Sequence, residues 1–295
     1  MASTDKLIKQ AEALLGRLEL LLPRDGTPTD WGASIAYRWR KLNSRGHIEP
    51  VRHVHRINLK DLQGIDPQKD LVERNTRQFV EGYPANNVLL TGARGTGKSS
   101  LIKALLNKYA DRGLRLIEVE KQDLVDLPDI VDRIDQRPER FILYCDDLSF
   151  EADDPGFKAL KVVLDGSIAA ASDNCVVYAT SNRRHLMPEY MGENLGYKHV
   201  GEEIHPSETS EEKISLSERF GLWVSFYPFD QNDYLRIVAV WLEHFKVADA
   251  RTEEVERAAL QWALQRGSRS GRVAWQFARD WAGRERMKAE GRKRK

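Results

Sequence analysis

Between Asn87 and Phe229 the chain alternates short, unbroken apolar runs with longer stretches in which apolar residues recur every three or four positions. The runs VLLTG, LRLIEVE, FILYCDD, CVVYATSN and WVSFYPF read as strands, and SSLIKALLNKYADRG and the stretch through Leu160 and Leu164 read as helices. Strands apolar throughout and separated by helices predict a parallel sheet covered on both faces, a doubly wound α/β domain whose ligands lie at the carboxyl ends of the strands. After Pro228 the pattern becomes helical. Tyr234, Ile237, Val238, Trp241 and Phe245 share one face behind the candidate cap Asp230; Val255, Ala258, Ala259 and Trp262 share another before Gly267. Ala274, Phe277 and Trp281 share a third behind Ser270, completing a small helical domain.

Ahead of the α/β pattern, Leu7, Ala11, Leu14, Leu18 and Leu21 form an amphipathic stripe that Pro23 ends. A Gly/Pro/Asp/Thr-rich break at 24–30 follows, then a basic-aromatic stretch with Trp31, Tyr37, Arg38, Trp39, Arg40, Lys41 and Arg45. The expected organisation is an N-terminal helical and basic-aromatic module at 1–57, an α/β nucleotide-binding domain at 58–229, a helical lid at 230–282 and a basic tail at 283–295. An insertion at about 183–217, acidic toward its end, is read as a partner or subunit contact, with a plain flexible insertion weighed equally.

Length and composition narrow the class without naming a task. The 295 residues allow about two domains, and 41% apolar with 31% charged residues exclude collagenous or fully disordered chains. The formal charge of +1 supplies no global pull toward nucleic acid or anionic membrane. It is unevenly spread: Arg266 to Lys295 holds 11 basic and 3 acidic residues, leaving the rest at −7. The N-terminal aromatics and the tail could follow nucleic acid by stacking and phosphate contact, but a solvated face and a frayed terminus are favoured.

Two cysteines, Cys145 and Cys175, lie inside apolar runs, so neither a disulfide framework nor a cysteine metal site is expected. Lys6, Lys9, Glu12, Arg17 and Glu19 interrupt the leucine-rich start, leaving no signal-peptide core or membrane span, and the chain reads as cytoplasmic. His47, His53 and His55 lack acids or cysteines at ligand spacing. Trp223, Trp241, Trp262 and Trp275 are expected in the core.

The strongest signal is GARGTGKS, Gly92 to Ser99, between the apolar strand Val88 to Leu90 and a helix. This context suits a phosphate-binding loop: Gly92, Ala93, Arg94, Gly95, Thr96 and Gly97 wrap backbone amides around an anion. Lys98 places charge on the β- and γ-phosphates, Ser99 can hold Mg²⁺, and Ser100 continues the helix start. A nucleoside triphosphate, taken as ATP, is the expected ligand. FILYCDD ends in two carboxylates, which would put Asp146 beside the Mg²⁺ of a nucleotide on the neighbouring loop.

From about Asn58 to Ala282 the chain resembles the AAA+ ATPases. GARGTGKSS, YCDDLSFE, HPSETSEEKISLSERFGLW and SGRVAW together look like one bacterial AAA+ family known only as a domain of unknown function. The resemblance implies that LQGID, with Leu62 and Ile65, packs on adenine, and that Asn182 is the polar sensor of the γ-phosphate or attacking water. It implies an arginine finger at Arg219, offered to a neighbouring subunit, with Arg183 and Arg184 as rivals, and a second sensor at Arg272, with Arg269 as rival. Asp147 stands where the family usually carries Glu, one methylene shorter, so hydrolysis is expected to be slow or absent; Glu151 could restore the reach.

The leading expectation is a Mg²⁺-dependent ATPase acting as a homo-oligomer on an unknown macromolecular partner. The alternative is a hydrolysis-poor switch or loading adaptor for a protein or nucleic-acid partner, and a monomeric phosphoryl-transfer enzyme ranks last.

Overall fold

The computed structural model describes residues 29–42, 45–150, 154–165, 173–182, 198–200, 203–205 and 218–293. The amphipathic stripe at 7–21 and most of the 183–217 insertion lie outside them. In chain order the strands and helices are β1 (Ala36–Leu42), β2 (Arg45–Pro50), α1 (Asp66–Val80), β3 (Val88–Gly92), α2 (Lys98–Tyr109) and β4 (Leu114–Glu118). Next come α3 (Leu127–Ile134), β5 (Arg140–Cys145), α4 (Pro155–Asp165), β6 (Cys175–Ser181), and the short pair β7 (Lys198–Val200) and β8 (Glu203–His205). The chain closes with β9 (Leu222–Phe226), α5 (Gln231–His244), α6 (Glu253–Arg266) and α7 (Gly271–Lys293).

All five runs read as strands form one sheet, in the order β2-β1-β4-β5-β6-β3-β9 among the described residues. Every neighbouring pair is parallel except the β1–β2 hairpin. Successive side chains of each parallel strand point to opposite faces, and both faces are covered. Val88, Leu90, Ile142, Tyr144 and Tyr178 face one core with α1, α2 and the C-terminal helices. Leu89, Phe141, Leu143, Cys145, Val177 and Ala179 face a second core with α3 and α4. Double burial is why these segments are apolar throughout instead of alternating.

The basic-aromatic stretch is corrected by the structure. Within residues 31–57, β1 and β2 extend the main sheet, with β1 hydrogen-bonded in parallel to β4, so this part does not form a separate helical module. Tyr37 and Trp39 point inward and are fully buried, and the Trp39 indole N–H donates to Asp126 Oδ2 at 2.8 Å. The intervening Arg38 and Arg40 point outward onto Glu118 and Glu120, each at 2.6 Å. Rings inside the core cannot stack on bases, and the cations already face carboxylates, so the nucleic-acid reading of this stretch loses its basis.

The C-terminal helices begin and end where the caps place them. Asp230 Oδ1 accepts the Asp233 N–H at 2.7 Å, Thr252 Oγ1 accepts that of Val255 at 3.3 Å, and Gly267 closes α6 in the left-handed conformation. Helix α7 runs on to Lys293, so much of the expected tail from 283 continues a helix. Among the tryptophans, Trp241 and Trp262 pack partly buried against the first core. Trp223 instead sits 40% exposed on the edge strand β9, its indole N–H on Thr91 Oγ1.

Candidate nucleotide-binding site

The loop after β3 is shaped by glycines that no other residue could replace without distortion. Gly92 has φ +123°, and a Cβ there would lie 1.9 Å from the Phe226 carbonyl oxygen, because β9 runs directly alongside. Gly97, at φ +100°, caps α2, so Lys98 and Ser99 are the first two residues of that helix, whose first-turn N–H groups have no partner within the helix. The Lys98 ammonium donates to the Gly92 and Ala93 carbonyls at 2.7 and 2.8 Å and to Asn182 Oδ1 at 3.1 Å. Burial pulls the Lys98 pKa below its ordinary value, against the opposing pull of Asp146 and Asp147.

The two carboxylates follow β5, which is not the neighbour of β3; β6 lies between the two strands. The end of β6 therefore stands between loop and acids, and its polar residues bridge the two. Thr180 Oγ1 donates to Asp146 Oδ1 at 2.5 Å and accepts the Asp147 N–H at 2.9 Å. Asn182 Nδ2 donates to Asp147 Oδ1 at 2.5 Å while its Oδ1 accepts from Lys98. Ser99 Oγ donates to Asp146 Oδ1 at 2.9 Å. Burial pushes the Asp146 carboxyl up, but hydrogen bonds from Thr180 and Ser99 and the charge of Lys103 more than offset it, holding the group below its ordinary value. Asp147 has φ +53°, a conformation that Asp tolerates better than most residues.

A cavity of about 790 Å³ opens beside this cluster, within the range that holds small-molecule ligands. Leu62 and Ile65 line it, as do Arg94 to Ser100, Asp146, Asp147 and Asn182. Arg272 also lines it, whereas its rival Arg269 lines a second cavity of about 850 Å³. The lid reaches the loop directly: the Gly271 N–H donates to the Gly95 carbonyl at 2.8 Å. Arg219 lies outside this cavity, paired with Asp165 at 2.5 Å. Glu151, Arg183 and Arg184 fall outside the described residues.

A family model described as Protein of unknown function (DUF815) matches residues 32–285, most of the chain. The chain belongs to the DUF815 family. No curated protein matches the sequence. Two single-residue variants of RuvB from Thermotoga maritima have similar structures, at 12% and 13% identity and a TM-score of 0.50. Each alignment covers 77% of this chain and 64% of the RuvB chain, so the DUF815 chain spans less than two thirds of that relative's length. A chain from the E. coli MS115-1 HORMA:CdnC:Trip13 complex aligns at 14% identity and a TM-score of 0.47, over 75% of this chain and 90% of its own length. At these identities the RuvB likeness establishes the fold alone: an α/β domain with a mostly parallel sheet like the AAA+ core, followed by C-terminal helices.

Three residues of the DUF815 site escaped the sequence reading. Trp241 and Trp275, expected in the core, line the cavity, and Trp275 follows Arg272 by three residues on α7, on the same helical face. That spacing was a usable signal. Thr180 had none, since a threonine near the end of an apolar strand is ordinary; only the strand order shows what it touches.

The residues present suit a magnesium nucleotide. Ser99 and Asp146 offer hard oxygen donors, the class Mg²⁺ takes. The positive-φ glycines leave loop backbone free of side chains where an anion would approach.

Proposed function

We propose that this DUF815 chain is a Mg²⁺-dependent ATP-binding protein that hydrolyses ATP slowly, its site completed by a neighbouring copy of itself, with the energy used to rearrange subunits or a macromolecular partner. The observation that carries this reading is the continuous set of contacts from Lys98 through Asn182 to Asp147, and from Ser99 to Asp146, along one wall of the cavity. Lys98 and the α2 N-terminus would bind the phosphates, Leu62 and Ile65 the base, and Arg272 would reach from the lid. When bound, Mg²⁺ supplies charge neutralisation on the phosphates. Asn182 and Asp147 would orient and deprotonate the attacking water, with Asp147 one methylene shorter than a glutamate, which accounts for a slow rate. Arg219 would act on the neighbouring copy's γ-phosphate.

Steady-state ATP hydrolysis measured from well below to well above micromolar protein tests the shared site. Activity per subunit should rise with concentration, and mixtures of Arg219→Ala with Lys98→Ala protomers should regain activity. A flat, measurable rate, or mixed oligomers that stay inactive, would overturn it. The Asp147 carboxylate engaged by Asn182 favours a second reading, an ATP-dependent switch or loading adaptor with little turnover; tight ATP binding without phosphate release would select it.

A further inference from the structure

We infer that Thr180 is a positioning residue for both site carboxylates and sets how strongly the protein binds magnesium nucleotide. This inference rests on the nucleotide reading above. Thr180 is buried, at 2% exposure, and lines the cavity at the end of β6. Its hydroxyl has one proton, and that proton goes to Asp146 Oδ1 at 2.5 Å. Its oxygen accepts the Asp147 N–H at 2.9 Å, at the residue with φ +53°. One side chain thus fixes the carboxylate on the metal side and the backbone turn that aims the other at Asn182.

The surrounding backbone makes this a rigid mount. The Leu148 N–H donates to the Thr180 carbonyl at 2.7 Å, and Ser181 Oγ donates to the Leu148 carbonyl at 2.7 Å, so the end of β6 is tied by two bonds to Leu148, the residue after the two acids. With Thr180 donating, Asp146 keeps its second oxygen and the Ser99 side chain for a cation. Without the hydroxyl, Asp146 loses one of its hydrogen-bond donors, the Asp147 N–H loses its acceptor, and the left-handed turn is no longer held. The acids would remain in the sequence but lose their shared geometry.

The test compares Thr180→Val, which keeps the shape and removes the hydroxyl, with Thr180→Ala and Thr180→Ser. Affinity for ATP is titrated with Mg²⁺ and with EDTA by following the emission of Trp241 and Trp275, which line the cavity. The expected result is that Val and Ala lose about tenfold or more of the tightening that Mg²⁺ confers, while metal-free affinity stays within about twofold and Ser restores the Mg²⁺ effect. Retention of the Mg²⁺ effect in the Val and Ala variants, or loss in Ser equal to that in Val, would overturn the inference alone. A wild-type protein that binds no ATP would overturn the nucleotide reading and this inference with it.

Discussion

Gly95 is where the lid meets the phosphate loop, and adding one methyl group there should separate them. Gly95 has φ +73°, a conformation that costs an alanine about 1–2 kcal/mol. The added Cβ would also lie 2.8 Å from Ser270 Cβ and 2.9 Å from Ser270 Oγ, closer than carbon and oxygen atoms pack. Overpacking of this kind costs about 1–3 kcal/mol. Gly95→Ala should therefore lose about 2–5 kcal/mol of stability, if the lid stays, or relieve the clash by breaking the Gly271 to Gly95 hydrogen bond and moving the lid away. The first outcome lowers the thermal midpoint by roughly 3–8 °C. The second leaves the midpoint nearer wild type and weakens ATP binding, because Arg272 and Trp275 leave the cavity with the lid. Adding Ser270→Gly removes the clashing atoms and, as an N-cap change, costs only a few tenths of a kcal/mol. The double variant should recover the steric part and keep only the backbone penalty. Calorimetry and ATP titration of the three variants decide the matter. A Gly95→Ala protein with wild-type midpoint and affinity, or a double variant no better than the single, would refute the claim that the lid is seated on the loop.

The buried hairpin makes Trp39→Ala a stability variant, losing about 3–5 kcal/mol in urea unfolding; a loss under about 1 kcal/mol would contradict its core placement. Glu73 links α1 to α2 through Lys108 at 2.6 Å and Tyr109 at 2.9 Å. The Lys108 hydrogen bond, helped by that from Tyr109 and opposed by burial, holds the Glu73 carboxyl below its ordinary 4.5. Its contribution is fully present above pH 4.5 and lost as pH falls below that value. The stability gap between wild type and Glu73→Gln should shrink as a series of denaturation curves moves from about pH 6 to about pH 3, and a constant gap would refute the link. Burial and Glu73 push the Tyr109 phenol up to about 12 from 10.0, so its contribution is lost as pH rises through that alkaline window; Tyr109→Phe should flatten the loss.

Much of the site was legible before the fold was known because its chemistry is local. GARGTGKS carries its glycines, lysine and serine within eight consecutive positions, and the helix start that orients them follows at once. The strand ending in Asp146 and Asp147 was equally plain, since double burial writes an apolar run. The N-terminal strands were missed although Tyr37 and Trp39 alternate with Arg38 and Arg40 in the period of two; charge drew the reading toward a binding surface, and only β4 alongside shows which side is core.

Local sequence, then, was enough to mark candidate phosphate and metal residues, to place the five central strands and the helices around them, and to predict that those strands run parallel. The order of strands was left to the tertiary structure, because parallel strands joined by helices can be arranged in several ways with the same apolar pattern. Placing β6 between β3 and β5 brings Thr180 and Asn182 between Lys98 and the acids, residues more than thirty positions from the carboxylates and eighty from the lysine. The fold of the lid back onto Gly95 likewise brings Arg272 and Trp275 to the cavity; their spacing puts them on one helical face, but which loop that face meets depends on the packing of whole helices.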